Sequence, residues 1–338
     1  MTAKRAWIAA SLTLVIPGAC DPGQSALTGI GEPIQVASGQ FIPGNLPGTP
    51  SPPSDGGVAP AEEAGIDAGP AAPLQITDLG GFMSTNVQAG QASLPFSGDA
   101  SNDAVAVGVR LAGMGTGYWV VPVGAPDSLN PSFFTFGISA SFDLNDSPGL
   151  HDLLFVAIGG SGSAGVQSGL QICIGSRIPD NDFACYPNIQ SPPKAVFTLE
   201  WDTNFDLDLH VVTPDGTDIN PKQPYGGPVE AGVHGIDPGL PHIDRDSLGG
   251  CVPDGLRQED VIYQDPLPAG DYTIYVDPFA ACGQAAARFK FIVSQSSGTC
   301  PGHTCRFGPV STVSGEVLAS QVTGGAGSML KIDQLTVN

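Results

Sequence analysis

The chain has 338 residues, room for two ordinary domains, with 12 Lys+Arg against 33 Asp+Glu and a net charge of −21. A surface that acidic repels phosphates and anionic headgroups, so nucleic acid is excluded as a partner. It suits metal cations or basic partners, with plain solubility as the alternative, and 46 Gly plus 32 Pro bring the composition near low complexity.

At the N-terminus, Lys4 and Arg5 precede an apolar run at 6–16 that only Ser11 and Thr13 interrupt. The run is too short to span a bilayer and reads as part of a signal peptide at 1–19. Pro17-Gly18-Ala19-Cys20 resembles the lipobox of bacterial lipoproteins, departing from it at Pro17, where an aliphatic residue is usual. The resemblance implies an exported chain with a lipid on Cys20 holding it to the cell envelope, the outer membrane being expected. Secretion or a periplasmic location after cleavage behind Ala19 stays open. Setting Cys20 aside leaves six cysteines, an even number that suits disulfides in an oxidising compartment. Their order in the chain suggests Cys173–Cys185, Cys251–Cys282 and Cys300–Cys305, though six cysteines allow about 15 pairings.

Residues 20–75 are rich in Pro, Gly, Ala and Ser without hydrophobic period. Such a segment cannot bury enough apolar surface to offset its ordering entropy and is expected to be a disordered tether, roughly 40 Å from end to end.

From residue 76 to 190 short apolar runs alternate with Gly, Pro, Asn and Asp. The runs at 104–109, 118–123, 134–138 and 153–158 predict strands by length and by β-branched and aromatic content. Residues 149–157 followed by 168–174 resemble the last two strands of immunoglobulin-like sandwiches in bacterial surface proteins. Pro192-Pro193 marks a boundary. A second β domain at 194–338 is expected, with strands at 196–201, 207–212, 261–263, 272–276, 288–293 and 330–337 and a stapled turn at 301–307. The expected fold class is therefore all-β, two tandem β-sandwiches behind a signal peptide and tether.

The chemistry concentrates between Leu199 and Gly216. Apolar and polar residues alternate from Leu199 to His210, which on one strand would set Asp202, Asn204, Asp206, Asp208 and His210 on a common face. Carboxylates stacked at about 7 Å repel unless a cation intervenes, and calcium takes six to eight hard oxygen ligands. Asp244-Arg245-Asp246, with Glu259 and Asp260, could supply a loop for such an ion, held by Cys251. A solvated acidic face or turn-forming aspartates is the plain alternative. The run is no EF-hand, because Leu207 stands where glycine is needed and Thr213 where glutamate is. His210, His234 and His242 match no zinc spacing, and the Cys300–Cys305 segment suits a local disulfide better than a metal knuckle.

Trp201-Asp202-Thr203, Asp206-Leu207-Asp208-Leu209-His210-Val211, Pro214-Asp215-Gly216, Asp244-Arg245-Asp246, Glu259 and Gly270-Asp271-Tyr272-Thr273-Ile274-Tyr275-Val276 occur in that order. Over about 195–295 they resemble the YfaP-type domain of uncharacterised bacterial exported proteins. A preceding immunoglobulin-like domain makes the arrangement similar to lipoproteins of myxobacterial type. The resemblance implies a β-sandwich outside the cytoplasm with no established catalysis. It carries over onto Asp206, Asp208, Asp244, Asp246 and Glu259 as the candidate calcium site. The long stretch at 221–241 departs from the shorter family loop.

Signatures of catalysis are missing: there is no His-Glu-x-x-His, no Gly-x-Ser-x-Gly and no phosphate-loop lysine. The expectation is a non-catalytic surface module that binds an unknown protein or polysaccharide. The rival is an accessory module or hydrolase acting on envelope or extracellular polymers, with Glu200 or Asp202 paired to Glu259 as acid and base.

Overall fold

A computed structural model describes residues 28–50, 74–79, 85–227 and 240–338. Signal peptide 1–19, Cys20, the tether at 51–73, and His234 lie outside the described residues. The fold is all-β, and none of the described helices is long and apolar enough to cross a membrane.

The first sandwich contains β1 (Ile34–Ala37), β2 (Gln40–Pro43), β3 (Ile76–Thr77), β4 (Asn86–Gln88), β5 (Leu94–Ser101), β6 (Ala104–Leu111), β7 (Gly117–Pro122), β8 (Phe133–Phe142), β9 (Gly149–Gly159) and β10 (Ser168–Gly175). One sheet runs β1-β8-β5-β3 and the other β2-β7-β6-β9-β10-β4. Val107, Val109, Leu111, Leu153 and Phe155, all fully buried, form part of the core between them. β9 and β10, the pair singled out in the sequence, are antiparallel neighbours, whereas β4 adds to β10 in parallel.

Here the tether expectation is corrected. Residues 34–43, assigned to disorder by composition, are β1 and β2. Ile34, Val36 and Phe41 are buried at 2 %, 4 % and 6 % exposure, a short period-2 signal inside a Gly/Pro-rich surround. β1 pairs with β8 in one sheet and β2 with β7 in the other, so the two strands form an arch that crosses from layer to layer. The indole N–H of Trp119 on β7 donates to the Ile34 carbonyl at 2.8 Å and locks the crossing.

The second sandwich contains β11 (Ala195–Trp201), β12 (Asp206–Val212), β13 (Asp218–Ile219), β14 (His242–Ile243), β15 (Gln258–Tyr263), β16 (Gly270–Ala280), β17 (Ala286–Ser296), β18 (Phe307–Leu318) and β19 (Leu330–Val337). The sheets run β14-β15-β11-β17-β18 and β13-β12-β16-β19. An aromatic cluster of Phe197, Tyr263, Tyr272 and Phe291 sits in the core. β5 and β18 were not anticipated. β18 reads FGPVSTVSGEVL and is mostly exposed, so it offers little apolar period.

Disulfides join Cys173–Cys185, Cys251–Cys282 and Cys300–Cys305, the pairing suggested by chain order. The last closes the turn between β17 and β18. The two sandwiches meet through polar contacts. Ala92 N–H donates to the Gly255 carbonyl at 2.9 Å, and Gln91 Nε2 to the Asp254 carbonyl at 3.0 Å. Gln88 and Gln258 both donate to the Arg177 carbonyl at 2.9 Å, and Arg177 pairs with Glu200. Gly255 takes φ +82 with room for no side chain, since a Cβ would lie 1.9 Å from the Ala92 oxygen.

Candidate metal centre

β12 carries the site because its period is two. Leu207, Leu209 and Val211 are fully buried in the sandwich core, and Asp206, Asp208 and His210 take the alternate positions. In a two-layer antiparallel fold that outer face is ordinarily solvated. Here it is covered, and Asp206 and Asp208 are only 1 % and 5 % exposed.

The cover is the loop after β14. Its 3-10 turn at Gly249–Cys251 brings Gly250 N–H to Asp206 Oδ2 at 3.0 Å. The Cys251–Cys282 bond ties that turn to the chain just beyond β16. Gly249 lets Asp246 approach: a Cβ there would meet Asp246 Oδ1 at 2.4 Å. Carboxylate oxygens of Asp206, Asp208 and Asp246 thereby lie within 4.8 Å of one another.

A second convergence shares Asp208. β12 and β16 are antiparallel, with Asp208 directly opposite Asp277, and ligand atoms of Asp208, His210 and Asp277 also lie within 4.8 Å of one another. Like charges facing each other across a ladder are destabilising. Asp277 is 3 % exposed and accepts the Thr323 hydroxyl at 2.5 Å. His210 Nδ1 lies 2.9 Å from Asp218 Oδ2; with the proton on Nδ1, the other ring nitrogen is left as a lone pair. The His210 and Asp277 side opens to a cavity of about 360 Å³ that Lys222 and Asn220 also line.

The electrostatics match this crowding. Burial first, then the charges of Asp206, Asp246 and Asp277, lift the Asp208 pKa from 3.8 to about 7. Burial lifts Asp206 to about 6 against the opposing hydrogen bond from Gly250. Asp246 is raised by burial and by Asp254, with Lys222 opposing. Asp206 Oδ1 is buried with no hydrogen-bond partner, an acceptor stripped of water and given no donor.

Of the five residues expected at the site, the fold gathers Asp206, Asp208 and Asp246. Asp244 is not among them: it accepts the Asp260 N–H at 3.0 Å and pairs with Arg245 at 2.8 Å. Glu259 is adjacent but engaged, fully buried and accepting the backbone N–H of Leu209 at 2.7 Å and of Ser247 at 3.2 Å. β13 pairs only with Val211 and Val212, so the Glu259 carboxylate takes a strand donor the ladder leaves over. Burial pushes its pKa well above the usual range.

The single-strand reading of Leu199 to His210 is also corrected. The chain turns between Trp201 and Asp206 and changes sheets. Asp202 accepts the Arg288 N–H at 2.9 Å, and Asn204 accepts from Arg257 at 3.2 Å, so neither joins the cluster. Glu200 pairs with Arg177 and Lys290, away from the buried Glu259, so the acid–base pairing the hydrolase reading needs is not formed. Asp277 and Asp218 were missed. Asp277 stood at the end of an expected strand, and only the β12–β16 register sets it against Asp208.

No family model and no curated protein matches the chain. Among solved structures, the major pilin subunit BcpA of Bacillus cereus is similar at 7 % identity and a TM-score of 0.17, over 74 % of this chain and 67 % of that one. A TM-score of that size carries no argument.

Proposed function

We propose that the chain is a non-catalytic module of the bacterial cell envelope, lipid-anchored at Cys20, whose second sandwich binds one calcium ion at Asp206, Asp208 and Asp246, with Asp277 beside them. The observation that carries this is Asp206 Oδ1, buried without a donor among carboxylates that repel one another. A hard divalent cation satisfies the orphaned oxygen and the repulsion together. The ion would pin the Cys251–Cys282 loop to β12 and so stiffen the surface the module presents to a protein or polysaccharide partner. The acidic chain, the three disulfides and the resemblance of 195–295 to YfaP-type exported domains support an extracytoplasmic setting.

The test is a thermal melt of the full chain in chelator and in calcium, beside Asp206→Asn/Asp208→Asn. A ligand that binds only the native state stabilises by about 2.7 kcal/mol at a hundredfold excess over Kd. A calcium-dependent rise absent from the double variant supports the reading. No shift in the parent chain sinks it.

A second reading has its own observation. The His210–Asp218 pair beside Asp208 and Asp277 is a mixed nitrogen–oxygen set of the kind that takes zinc or another transition ion. Stabilisation by zinc but not calcium, lost in His210→Gln, would favour it.

A further inference from the structure

The chain is strongly acidic, yet its few basic side chains are not spread evenly. Of 12 Lys and Arg, Lys4 and Arg5 belong to the expected signal peptide. Four of the other ten, Arg177, Arg257, Arg288 and Lys290, line one open groove of about 520 Å³. Strand periodicity puts them there. Phe289 turns into the core between Arg288 and Lys290, which therefore share the outer face of β17 about 7 Å apart. Trp201 likewise turns inward on β11 and leaves Glu200 outward, opposite Lys290. Gln258 is the other neighbour of Glu200, and Arg257 immediately precedes it. Arg177 arrives from the segment after β10, while Gly90 and Leu144 close the groove on the side of the first sandwich.

These cations outnumber the carboxylates beside them. Arg177 and Lys290 converge on the single carboxylate of Glu200, Lys290 at 3.7 Å. Arg288 Nε lies 3.4 Å from Glu316, and the Arg288 side chain stays 78 % exposed. Arg257 meets no carboxylate among the described residues; its Nη1 donates to Asn204 at 3.2 Å. Asp202, the remaining acid on the wall, accepts the Arg288 backbone N–H at 2.9 Å. Four cations thus stand among three carboxylates, in a chain whose net charge is −21. The Arg177–Glu200 pair ties the segment after β10 to the second sandwich. The other three cations all belong to the second sandwich, so holding the joint does not account for them.

We infer that this groove binds an acidic polysaccharide whose sugar rings carry carboxylates. Guanidinium groups grip carboxylates through two parallel hydrogen bonds, and the lysine adds a point charge. Glu200, Asp202 and Ser314 offer acceptors for ring hydroxyls, and Leu144, 47 % exposed, offers an apolar edge to a ring face. A run of Asp and Glu in a peptide packs charge more densely and brings those acceptors no hydroxyl. A nucleic acid, with a phosphate at every unit, is repelled by the rest of the chain. For a short, sparsely charged ligand the remote acids are screened beyond about 8 Å at physiological salt, so the groove decides. The ligand is the partner left open by the envelope-module reading, on which the assignment rests for its setting alone. The groove shares no residue with the β12 cluster.

The experiment is titration calorimetry of the full chain, in chelator, with three probes: hyaluronan hexasaccharide, the neutral chitohexaose and hexaglutamate. Hyaluronan should bind, more weakly as salt is added, and chitohexaose and hexaglutamate should bind less well. Arg257→Gln should weaken hyaluronan binding about threefold to fivefold, and adding Lys290→Gln should weaken it by about as much again. Lys331→Gln removes an equal exposed charge from β19, in the opposite sheet, and should change nothing. Failure of hyaluronan to bind overturns the inference, and so does chitohexaose binding as tightly, a comparison that needs no variant. Equal weakening by Lys331→Gln would overturn it as attraction to charge without a site. Hexaglutamate binding as tightly as hyaluronan would overturn it in favour of acidic peptides. A chain that binds hyaluronan but shows no calcium shift on melting keeps the groove and sinks the β12 site; a calcium shift without hyaluronan binding sinks the groove alone.

Discussion

Replacing Asp208 with asparagine tests the β12 site through its pH dependence. Asp208 is 5 % exposed, and its pKa rises from 3.8 to about 7 through burial and then the charges of Asp206, Asp246 and Asp277. Between these values the folded chain holds a proton that the unfolded chain has released. Without metal, stability therefore falls as pH rises from about 4 to 7. At about 1.4 kcal/mol per decade, the loss from Asp208 alone is about 4 kcal/mol above pH 7. Asp206 adds a loss of the same sign. A domain of this size loses roughly 2–4 °C per kcal/mol, so melting in chelator should drop by roughly 10 °C from about pH 5 to pH 8. Bound calcium supplies the missing counter-charge, so its stabilising shift should be small at about pH 5, where protons compete, and largest at about pH 8. The assay is a pH series of melts of the full chain and of Asp208→Asn, each in chelator and in calcium. Asp260 titrates in both chains, so the difference reports Asp208 together with the part of the Glu259 shift that the Asp208 charge causes. A parent melt flat or rising over this range, with the variant parallel to it, would refute the reasoning.

Three further outcomes are expected. Cys251→Ser/Cys282→Ser opens a loop of sequence separation 31, and chain entropy puts the loss at about 4 kcal/mol. Denaturant melts should show that loss, and calorimetry should show weaker calcium binding, because Gly250 and Asp246 ride on the released loop. Tyr263→Phe and Tyr272→Phe should differ: the Tyr263 hydroxyl is buried without a partner, whereas Tyr272 donates to the Pro268 carbonyl at 3.0 Å. Urea unfolding should find the first neutral or slightly stabilising and the second destabilised by about 1 kcal/mol; equal losses would contradict the assignment. Gly255→Ala drives a Cβ against the Ala92 carbonyl at φ +82. Calorimetry should then resolve two transitions as the joint opens, and one unchanged transition would count against a tightly docked joint.

The all-β class was legible because the runs at 104–109 and 153–158 are apolar, β-branched and too short for buried helices. β1 was hidden because four residues, IQVA, cannot outweigh the Gly and Pro around them in any composition window. Asp206 and Asp208 were legible as a pair because i and i+2 share a strand face whatever the topology. The same periodicity misled at Asp202 and Asn204, since alternation carries no mark of a change of sheet between Trp201 and Asp206. Asp246 was read with Asp244, but neighbouring loop residues point to different surroundings. One reached the cluster and the other paired with Arg245. Asp277 needed the register of β16 on β12, a relation across many residues that no local pattern encodes.

The layer-crossing arch of β1 and β2 also bears on mechanics. A pull on the chain ahead of Ile34 loads the bonds from β1 to β8 first and those from β2 to β7 next. Phe41 packed on Trp119, and the indole bond to the Ile34 carbonyl, stand behind both as a latch. Tension must unfasten a seam in each sheet before it reaches the core. The short arch at the edge of both sheets of the first sandwich would thus act as its strain relief, shielding the joint and the β12 cluster from tugs on the leading segment.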